Sequence, residues 1–275
     1  MSTNNRTGRK RDYVGVLSSV FAIVIGLLVG FVILLICNPS QALPGFVTIL
    51  TGAFTHGLKG VGQVFYYATP IILTGLSVGF AFKTGLFNIG TPGQFIVGAF
   101  AAVYVGIMWT GLGRIQWAVA LLAAILGGAL WGMVPGFLKA CFNVNEVIAS
   151  IMMNYIGMYM VNWIVKSYKP LFNNLRNESR NVAATAQIPK MGMDKLFPES
   201  SVGGGILLAI AAVLIIWVIL NKTTFGYELK AVGFNRDASR YAGINEKRNI
   251  IMSMVIAGAI AGMAGGLLYL AGTGK

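Results

Sequence analysis

Charge is scarce in this sequence, and acidic charge is the scarcest. Only 8 of the 275 residues are Asp or Glu, against 21 Lys or Arg, while 56% of the residues are hydrophobic. Charged residues make up about 25% of a typical soluble domain, but only 11% of this chain. The composition excludes an ordinary soluble globular domain and indicates a protein that crosses a membrane several times.

Groups that carry metal or nucleophilic chemistry are also few. His56 is the only histidine, and no second histidine or nearby carboxylate accompanies it, so we interpret it as an interfacial polar residue. The terminal "GTGK" lacks the first glycine of a phosphate-binding loop, since Tyr269 occupies that place. We therefore expect no catalytic set, no metal site and no cofactor, and any ATP chemistry must belong to a partner.

Seven apolar stretches have about the 17 to 25 residues that a helix needs to cross a bilayer, or more. The predicted spans are 13–37, 63–82, 94–110, 115–142, 147–165, 205–220 and 249–270. The sequence thus predicts an all-α, polytopic transmembrane helical bundle. The segment 42–56 is only moderately apolar, and we expect an interfacial or re-entrant helix there.

Cations follow the predicted topology. With residues 1–12 as a cytoplasmic N-terminal tail and 13–275 as the transmembrane domain, the inner segments hold most cations, whereas the short outer loops hold Lys59 and Arg114. The outer 166–204 segment is the exception with six cations, but a loop of this length determines topology less than a short one. This positive-inside bias accounts for the net charge of +13 without a nucleic-acid partner. Cys37 and Cys141 would then lie about 30 Å apart, so no disulfide should join them.

Glycines recur every four residues within three spans, at Gly26 and Gly30, at Gly128, Gly132 and Gly136, and at Gly258, Gly262 and Gly266. This spacing strips one helix face of side chains and favours close helix packing. The packing can lie within one subunit or at a dimer seam. The polar 166–204 loop, predicted to be outside, is either a cap or docking surface for an extracellular partner, or a solvated connector.

Two stretches place neutral polar groups near the membrane helices. The first, "GLFNIGTPGQ" at 85–94, is poor helix material and offers Asn88, Thr91 and Gln94 to a solute, unless it is only a tight inner turn. In the second, at 143–156, Asn143 or Asn145 caps a helix on which Glu146, Ser150 and Asn154 share one face. That face should point into the bundle, as a solute path or as hydrogen-bonded helix glue.

The third stretch, "FGYELKAVGFNRDASRYAGIN" at 225–245, lies in a predicted cytoplasmic coupling loop at 221–248. It predicts one short helix at 227–232 ending at Gly233, and a second at 236–242 with Asn235 as N-cap and Gly243 as its end. Both helices carry small apolar side chains among charged ones, a pattern typical of helices that bind in a groove of another protein. A solvated loop is the alternative. The predicted coupling residues are Gly226, Glu228, Leu229, Val232, Gly233, Asn235, Arg240, Tyr241 and Gly243.

"GLFNIGTPGQFIVGAF", "NEVIASIMMNYI" and "GYELKAVGFNRDASRYAGI" resemble, in this order, segments of the permease subunits of bacterial ABC importers. The branch is the one handling simple sugars and purine nucleosides, and the resemblance covers the chain from about residue 60 onward. It implies a type II-like importer permease, with nucleosides ahead of sugars as cargo. Pro92 stands where members of this branch often have an acidic residue, so solute specificity is not carried over from that motif.

The resemblance also implies partners: an ATP-binding subunit held by the 226–243 helices, a second permease subunit that is identical or a sister chain, and an extracellular lipoprotein or periplasmic binding protein. Lipid would surround the bundle in a bacterial cell membrane. Since members usually have about three more helices, we expect this sequence to be truncated at its C-terminus. The main alternative is a secondary transporter driven by an ion gradient, although Glu146 is the only acid near a span.

Overall fold

Eleven helices and one small hairpin make up residues 7–272, which the computed structural model of the chain describes. The helices are α1 Thr7–Cys37, α2 Pro39–Thr55, α3 Gly57–Lys83, α4 Thr91–Met108, α5 Gln116–Phe142, α6 Glu146–Ser167, α7 Met193–Leu196, α8 Gly205–Lys222, α9 Thr224–Phe234, α10 Arg236–Tyr241 and α11 Glu246–Tyr269. Strands β1 Phe172–Asn173 and β2 Glu178–Ser179 pair antiparallel. Short 3₁₀ turns lie at Thr110–Ile115 and Ala184–Ala186.

Seven of the helices in this described part are long and apolar enough to cross a membrane: α1, α3, α4, α5, α6, α8 and α11. The prediction of an all-α polytopic bundle with seven spans is confirmed. Helix α1 begins at Thr7, inside the segment predicted as a tail, and residues 1–6 of that tail lie outside the described residues.

The chain divides into two compact units, residues 1–60 and 61–275. In the first, α1 and α2 form a helical hairpin with Asn38 at the corner and Pro39 at the start of α2, where a missing N–H costs nothing. The rings of Phe31 and Phe46 lie 4.8 Å apart, and Ala42 is buried. Among the described residues of this unit, nothing lies within 4 Å of where Gly26 or Gly30 would carry a Cβ, so the predicted glycine packing is not seen here.

Helix α11 is the centre of the second unit, and 67% of its most apolar stretch is buried. Its glycines face those of α5: a Cβ added to Gly258 would overlap the carbonyl of Gly128, and a Cβ on Gly132 would lie 2.5 Å from the carbonyl oxygen of Met254. The predicted glycine seam therefore lies within one subunit. Because lipid tails give helices no hydrophobic reason to associate, such backbone approach is what holds this bundle together.

Helix α4 joins the same seam. A Cβ on Gly98 would overlap Gly262, and one on Gly265 would overlap the carbonyl of Phe95. Helices α4, α5 and α11 consequently meet backbone to backbone. They form the rigid part of the unit against which the other helices are placed.

The segment 168–204 after α6, here called the cap segment, folds over one end of this bundle. Val182 and Ala186 are buried, and the backbone N–H of Ala183 donates to the carbonyl of Gly106 at 3.0 Å. The N–H of Ile188 donates to the carbonyl of Leu270 at 2.9 Å. The segment is therefore a packed cap rather than a loose connector, while its position outside the membrane remains a prediction.

Candidate functional site

The chain between α3 and α4 is irregular and turns around the side chain of Asn88. The Asn88 amide donates to Gln94 Oε1 at 3.0 Å, and Gln94 Nε2 donates back to Asn88 Oδ1 at 3.1 Å. The N–H of Gly90 also donates to Asn88 Oδ1, and the Thr91 hydroxyl donates to the Asn88 carbonyl. The three predicted side chains of this stretch are thus buried in one hydrogen-bond network at the start of α4: Asn88, Thr91 and Gln94.

Helix α6 starts beside the end of α5. Asn145, and not Asn143, is the N-cap of α6, because its side chain accepts from the N–H groups of Val147 and Ile148. Asn143 adopts the left-handed conformation that ends α5. Glu146 forms a 2.9 Å ion pair with Lys139 of α5. This predicted path residue therefore lies at the α5–α6 corner with a cation beside it.

Asn154 links α6 to the first turn of α4. Its Oδ1 accepts from the N–H of Gly93 at 2.8 Å, and its amide donates to the carbonyl of Ile89 at 2.9 Å. Gly93 has to be glycine here, because a Cβ would lie 2.9 Å from Asn154 Cα. The side chain thus pairs with one backbone donor at the start of α4 and one backbone acceptor just before it. Such groups have no partner within the helix and need one from elsewhere when they are buried.

Ser150 lies one turn before Asn154 and completes the group. Its hydroxyl is fully buried and has no hydrogen-bond partner among the described residues. Its Cβ lies 3.3 Å from where a Cβ of Gly90 would be, directly beside the Asn88–Gln94 pair. We call Asn88, Gln94, Ser150 and Asn154 the amide cluster. The structure brings these predicted residues together from two separate motifs.

The residues between α8 and α11, 223–245, are called the coupling segment. Helix α9 is longer than predicted: it begins at Thr224, where the Thr223 side chain accepts from the N–H of Gly226, and runs through Gly233 to Phe234. The prediction that Gly233 ends this helix is wrong. The second helix starts at Arg236 as predicted, with Asn235 accepting from the N–H of Ala238, but it ends at Tyr241, one residue earlier than predicted; Gly243 follows at a φ of 81°.

Glycines 226 and 233 are required by close backbone contacts rather than by helix ends. A Cβ on Gly226 would overlap the carbonyl of Ile219, because α9 turns sharply back against the end of α8. A Cβ on Gly233 would overlap the carbonyl of Lys83 and lie 3.1 Å from the nitrogen of Gly85. The end of α9 is thereby seated on the turn that leads from α3 into the amide cluster.

Polar contacts also tie the coupling segment to α11. The Asn249 amide donates to Glu228 Oε2 at 3.0 Å, and Asn249 is fully buried, with an Oδ1 that has no partner among the described residues. Beside it, the Thr84 hydroxyl donates to Ser253 Oγ at 2.7 Å. Sequence reasoning missed Asn249, Thr84 and Ser253, because single polar residues near helix ends give no periodic signal.

The two sides of the coupling segment differ sharply in exposure. Leu229 and Val232 are 0% and 1% exposed against the membrane helices, whereas Tyr227, Phe234 and Tyr241 are 71%, 92% and 94% exposed. Arg240 is exposed as well. An open groove of about 990 Å³, solvent at its mouth included, runs between α9 and α10. The segment has one face fixed to the bundle and one face of aromatic side chains left open.

Comparison with known protein families identifies the family of this chain. Residues 60–275 match the family described as the permease component of branched-chain amino acid transport systems. The chain belongs to this permease family. The match spans the amide cluster, the cap segment and the coupling segment, so the features described above are those of a transport subunit.

Three relatives of this permease are themselves ABC transporter permeases. The guanosine ABC transporter permease NupP of Bacillus subtilis is 42% identical over 248 residues, 90% of this chain and 70% of its own. The nucleoside ABC transporter permease NupB of Lactococcus lactis is 35% identical over 97% of this chain and 72% of its own. A glucose ABC transporter permease of Haloferax volcanii is 31% identical over 83% of this chain and 60% of its own. No solved structure matches the permease.

Proposed function

We propose that this permease is the membrane subunit of an ATP-driven importer of nucleosides, and that its coupling segment docks on an ATP-binding partner subunit. The observation that carries the proposal is the split of the coupling segment into a fixed face and an open aromatic face. Aromatic side chains that are almost fully exposed are unusual on a protein alone and are typical anchors of protein interfaces.

The buried face of the coupling segment connects a docked partner to the membrane helices. Because α9 is seated on Gly85 and hydrogen-bonded to Asn249, a displacement of α9 is passed to the α3–α4 turn and to the start of α11. The α3–α4 turn leads within three residues to Asn88 of the amide cluster. We infer that Gly226, Glu228, Leu229, Val232 and Gly233 transmit the movement, while Asn235, Arg240, Tyr241 and Gly243 shape the docking surface.

Nucleosides are proposed as cargo ahead of sugars. The two relatives of higher identity are permeases for guanosine and for nucleosides, and the glucose permease is less similar. The amide cluster is consistent with an uncharged solute, since it holds neutral donors and acceptors. We propose that Asn88, Thr91, Gln94, Ser150 and Asn154 close the solute path at the end nearest the coupling segment, and that Glu146 with Lys139 fixes the α5–α6 corner beside them.

The cations near the coupling segment support one orientation. Arg236, Arg240, Lys247 and Arg248 lie at the end of the bundle where the coupling segment is, and cytoplasmic ends of membrane helices are enriched in such residues. We propose that the N-terminus and the coupling segment are cytoplasmic and that the cap segment is external. A solute-binding lipoprotein or periplasmic protein would then dock at the cap, and a second permease subunit would complete the path within the lipid membrane.

Reconstitution tests the proposal. The permease is co-expressed with a candidate ATP-binding subunit and a sister permease, purified, and placed in vesicles with the binding protein. We expect the ATP-binding subunit to co-purify and labelled nucleoside to enter only with ATP and binding protein. Nucleoside uptake driven by a proton or sodium gradient, without the ATP-binding subunit, would contradict it and support a secondary transporter.

A further inference from the structure

Helices α4 and α6 form a cleft that is closed at one end and open at the other. Asn154 holds the helices together near the coupling segment through its bonds to Gly93 and Ile89. Toward the cap segment, residues of both helices line a cavity of about 260 Å³. Known small-molecule pockets occupy about 300 to 1,000 Å³, so this cavity is close to the lower end of the range for a solute site.

The cavity is lined by both aromatic and polar side chains. Apolar side chains of α4 and α6 line it together with Phe100 and Tyr269, and Asn162, Asn177 and the strand β2 add amide and hydroxyl groups to the lining. The hairpin of β1 and β2 lies over it, and this hairpin is anchored by the buried Leu171. The cap segment therefore forms the roof of the cavity.

We propose that this cavity is the first site a nucleoside occupies in the permease after delivery at the cap, with Phe100 and Tyr269 contacting the base and Asn162 and Asn177 the polar edges. The proposal rests on the proposed function, because it takes the cap end as external and nucleosides as cargo. It adds a site that is separate from the amide cluster and made mostly of residues outside the three sequence motifs.

The aromatic and amide groups of the lining favour a nucleoside over a free sugar, which would contact the aromatic side chains only through its C–H groups. A base presents a flat π-face that stacks on aromatic side chains, and its edges need donors and acceptors such as amides. A simple sugar has no such face. A charged amino acid would need a fixed opposite charge, and the carboxylate of Glu178 already has Arg176 3.8 Å away.

The cavity also lies on the same cleft as Asn154. A solute that moves from it toward the coupling segment meets the point where Asn154 joins α6 to α4. Loading from the cap side is thus possible while the other end stays closed. This is the arrangement that alternating access requires of a site reached from one side at a time.

The test is protection of a single cysteine in the assembled transporter. With Cys37 and Cys141 replaced by serine, Asn162→Cys at the cavity rim is labelled by a membrane-impermeant maleimide, with and without guanosine. We expect guanosine to slow the labelling at least about threefold. The control is Leu175→Cys at the hairpin tip, where the side chain is 97% exposed and no protection is expected.

Transport kinetics give a second readout. Phe100→Leu keeps the apolar volume but loses the stacking face, so the apparent KM for guanosine should rise roughly fivefold or more while maximal uptake changes little. Phe137→Leu, on the outward side of α5, is the matched control. Tyr269→Leu, with Tyr159→Leu on the exposed side of α6 as its control, removes the second stacking face and should raise the apparent KM in the same way.

The outcomes separate this site from the proposed function. If guanosine is taken up with ATP but neither protects Asn162→Cys nor shows a changed KM in the Phe100 and Tyr269 variants, the cavity is not a nucleoside site although the importer function stands. If the cysteine is protected yet uptake needs no ATP, the cavity site holds and the ATP-driven function fails. Absence of both protection and uptake would overturn both.

Discussion

Replacing Gly233 by alanine should uncouple the permease from its ATP-binding partner. The added Cβ would overlap the Lys83 carbonyl and would lie 3.0 Å from the carbonyl carbon of Thr84 and 3.1 Å from the nitrogen of Gly85. All three are backbone atoms, so no flexible side chain can move aside. Helix α9 has to lift from the α3–α4 turn instead.

The size of the effect follows from two opposing terms. Overpacking a tight contact costs about 1 to 3 kcal/mol, and a backbone obstacle argues for the upper end. Alanine inside a helix is favoured over glycine by about 1 kcal/mol, which offsets part of that cost. The seated position of α9 therefore loses about 2 kcal/mol, or about 30-fold in its population.

The assay is ATP hydrolysis stimulated by the binding protein and nucleoside, measured together with uptake in reconstituted vesicles. The Gly233→Ala variant should insert and co-purify normally but lose most of the stimulation. Gly79→Ala in α3 is the control, because nothing lies within 4 Å of the added Cβ and only the helix preference changes. Full stimulation in the Gly233 variant would refute the transmission route through the α3–α4 turn.

Three further changes test other parts of the account. Arg240→Glu on the exposed face of α10 should abolish stimulation of the partner ATPase while membrane insertion, measured by fractionation, is unchanged; normal coupling would reject the docking role. Asn154→Leu removes the hydrogen bonds from α6 to the N–H of Gly93 and to the carbonyl of Ile89, at about 1 to 3 kcal/mol in total. Asn88→Leu breaks the pair with Gln94. Uptake should fall several-fold in both variants although the complexes assemble. Unchanged uptake would remove these two residues from the path. Gly262→Val should lower the melting temperature of the purified permease, because its Cβ overlaps the Ala124 carbonyl in the α5–α11 seam; a melting temperature as high as that of Gly79→Val would show that the seam does not hold the bundle.

Features that repeat along the chain could be predicted from the sequence. The seven spans follow from long apolar runs, and the closely packing glycine faces that contain Gly128 and Gly258 follow from a four-residue spacing, although the sequence leaves open which helix each face meets. Asn235 is predicted as a cap, and so is either Asn143 or Asn145, because a short polar side chain before an apolar helix has few other uses; the structure decides for Asn145. The sequence does not predict that Asn88 and Asn154 lie in the same cluster, because this depends on which helices become neighbours.

Features set by contacts between distant segments could not be predicted. Gly233 was interpreted as a helix end, which is its commonest use, whereas the structure keeps it inside α9 because the Lys83 carbonyl occupies the place of a side chain. The hairpin over the cavity has only two residues in each strand, too few to show an alternating pattern. Phe234 was overlooked because one exposed aromatic residue among charges gives no signal by itself.

The central claim is that a partner ATPase holds the open face of the coupling segment, and one measurement tests it most directly. A photo-reactive phenylalanine analogue replaces Phe234 or Tyr241, both more than 90% exposed, in the assembled transporter, and the cross-linked products are identified by mass spectrometry. The account predicts cross-links to the ATP-binding subunit that depend on its presence. Cross-links to the solute-binding protein instead would place this face outside the cell and contradict the account.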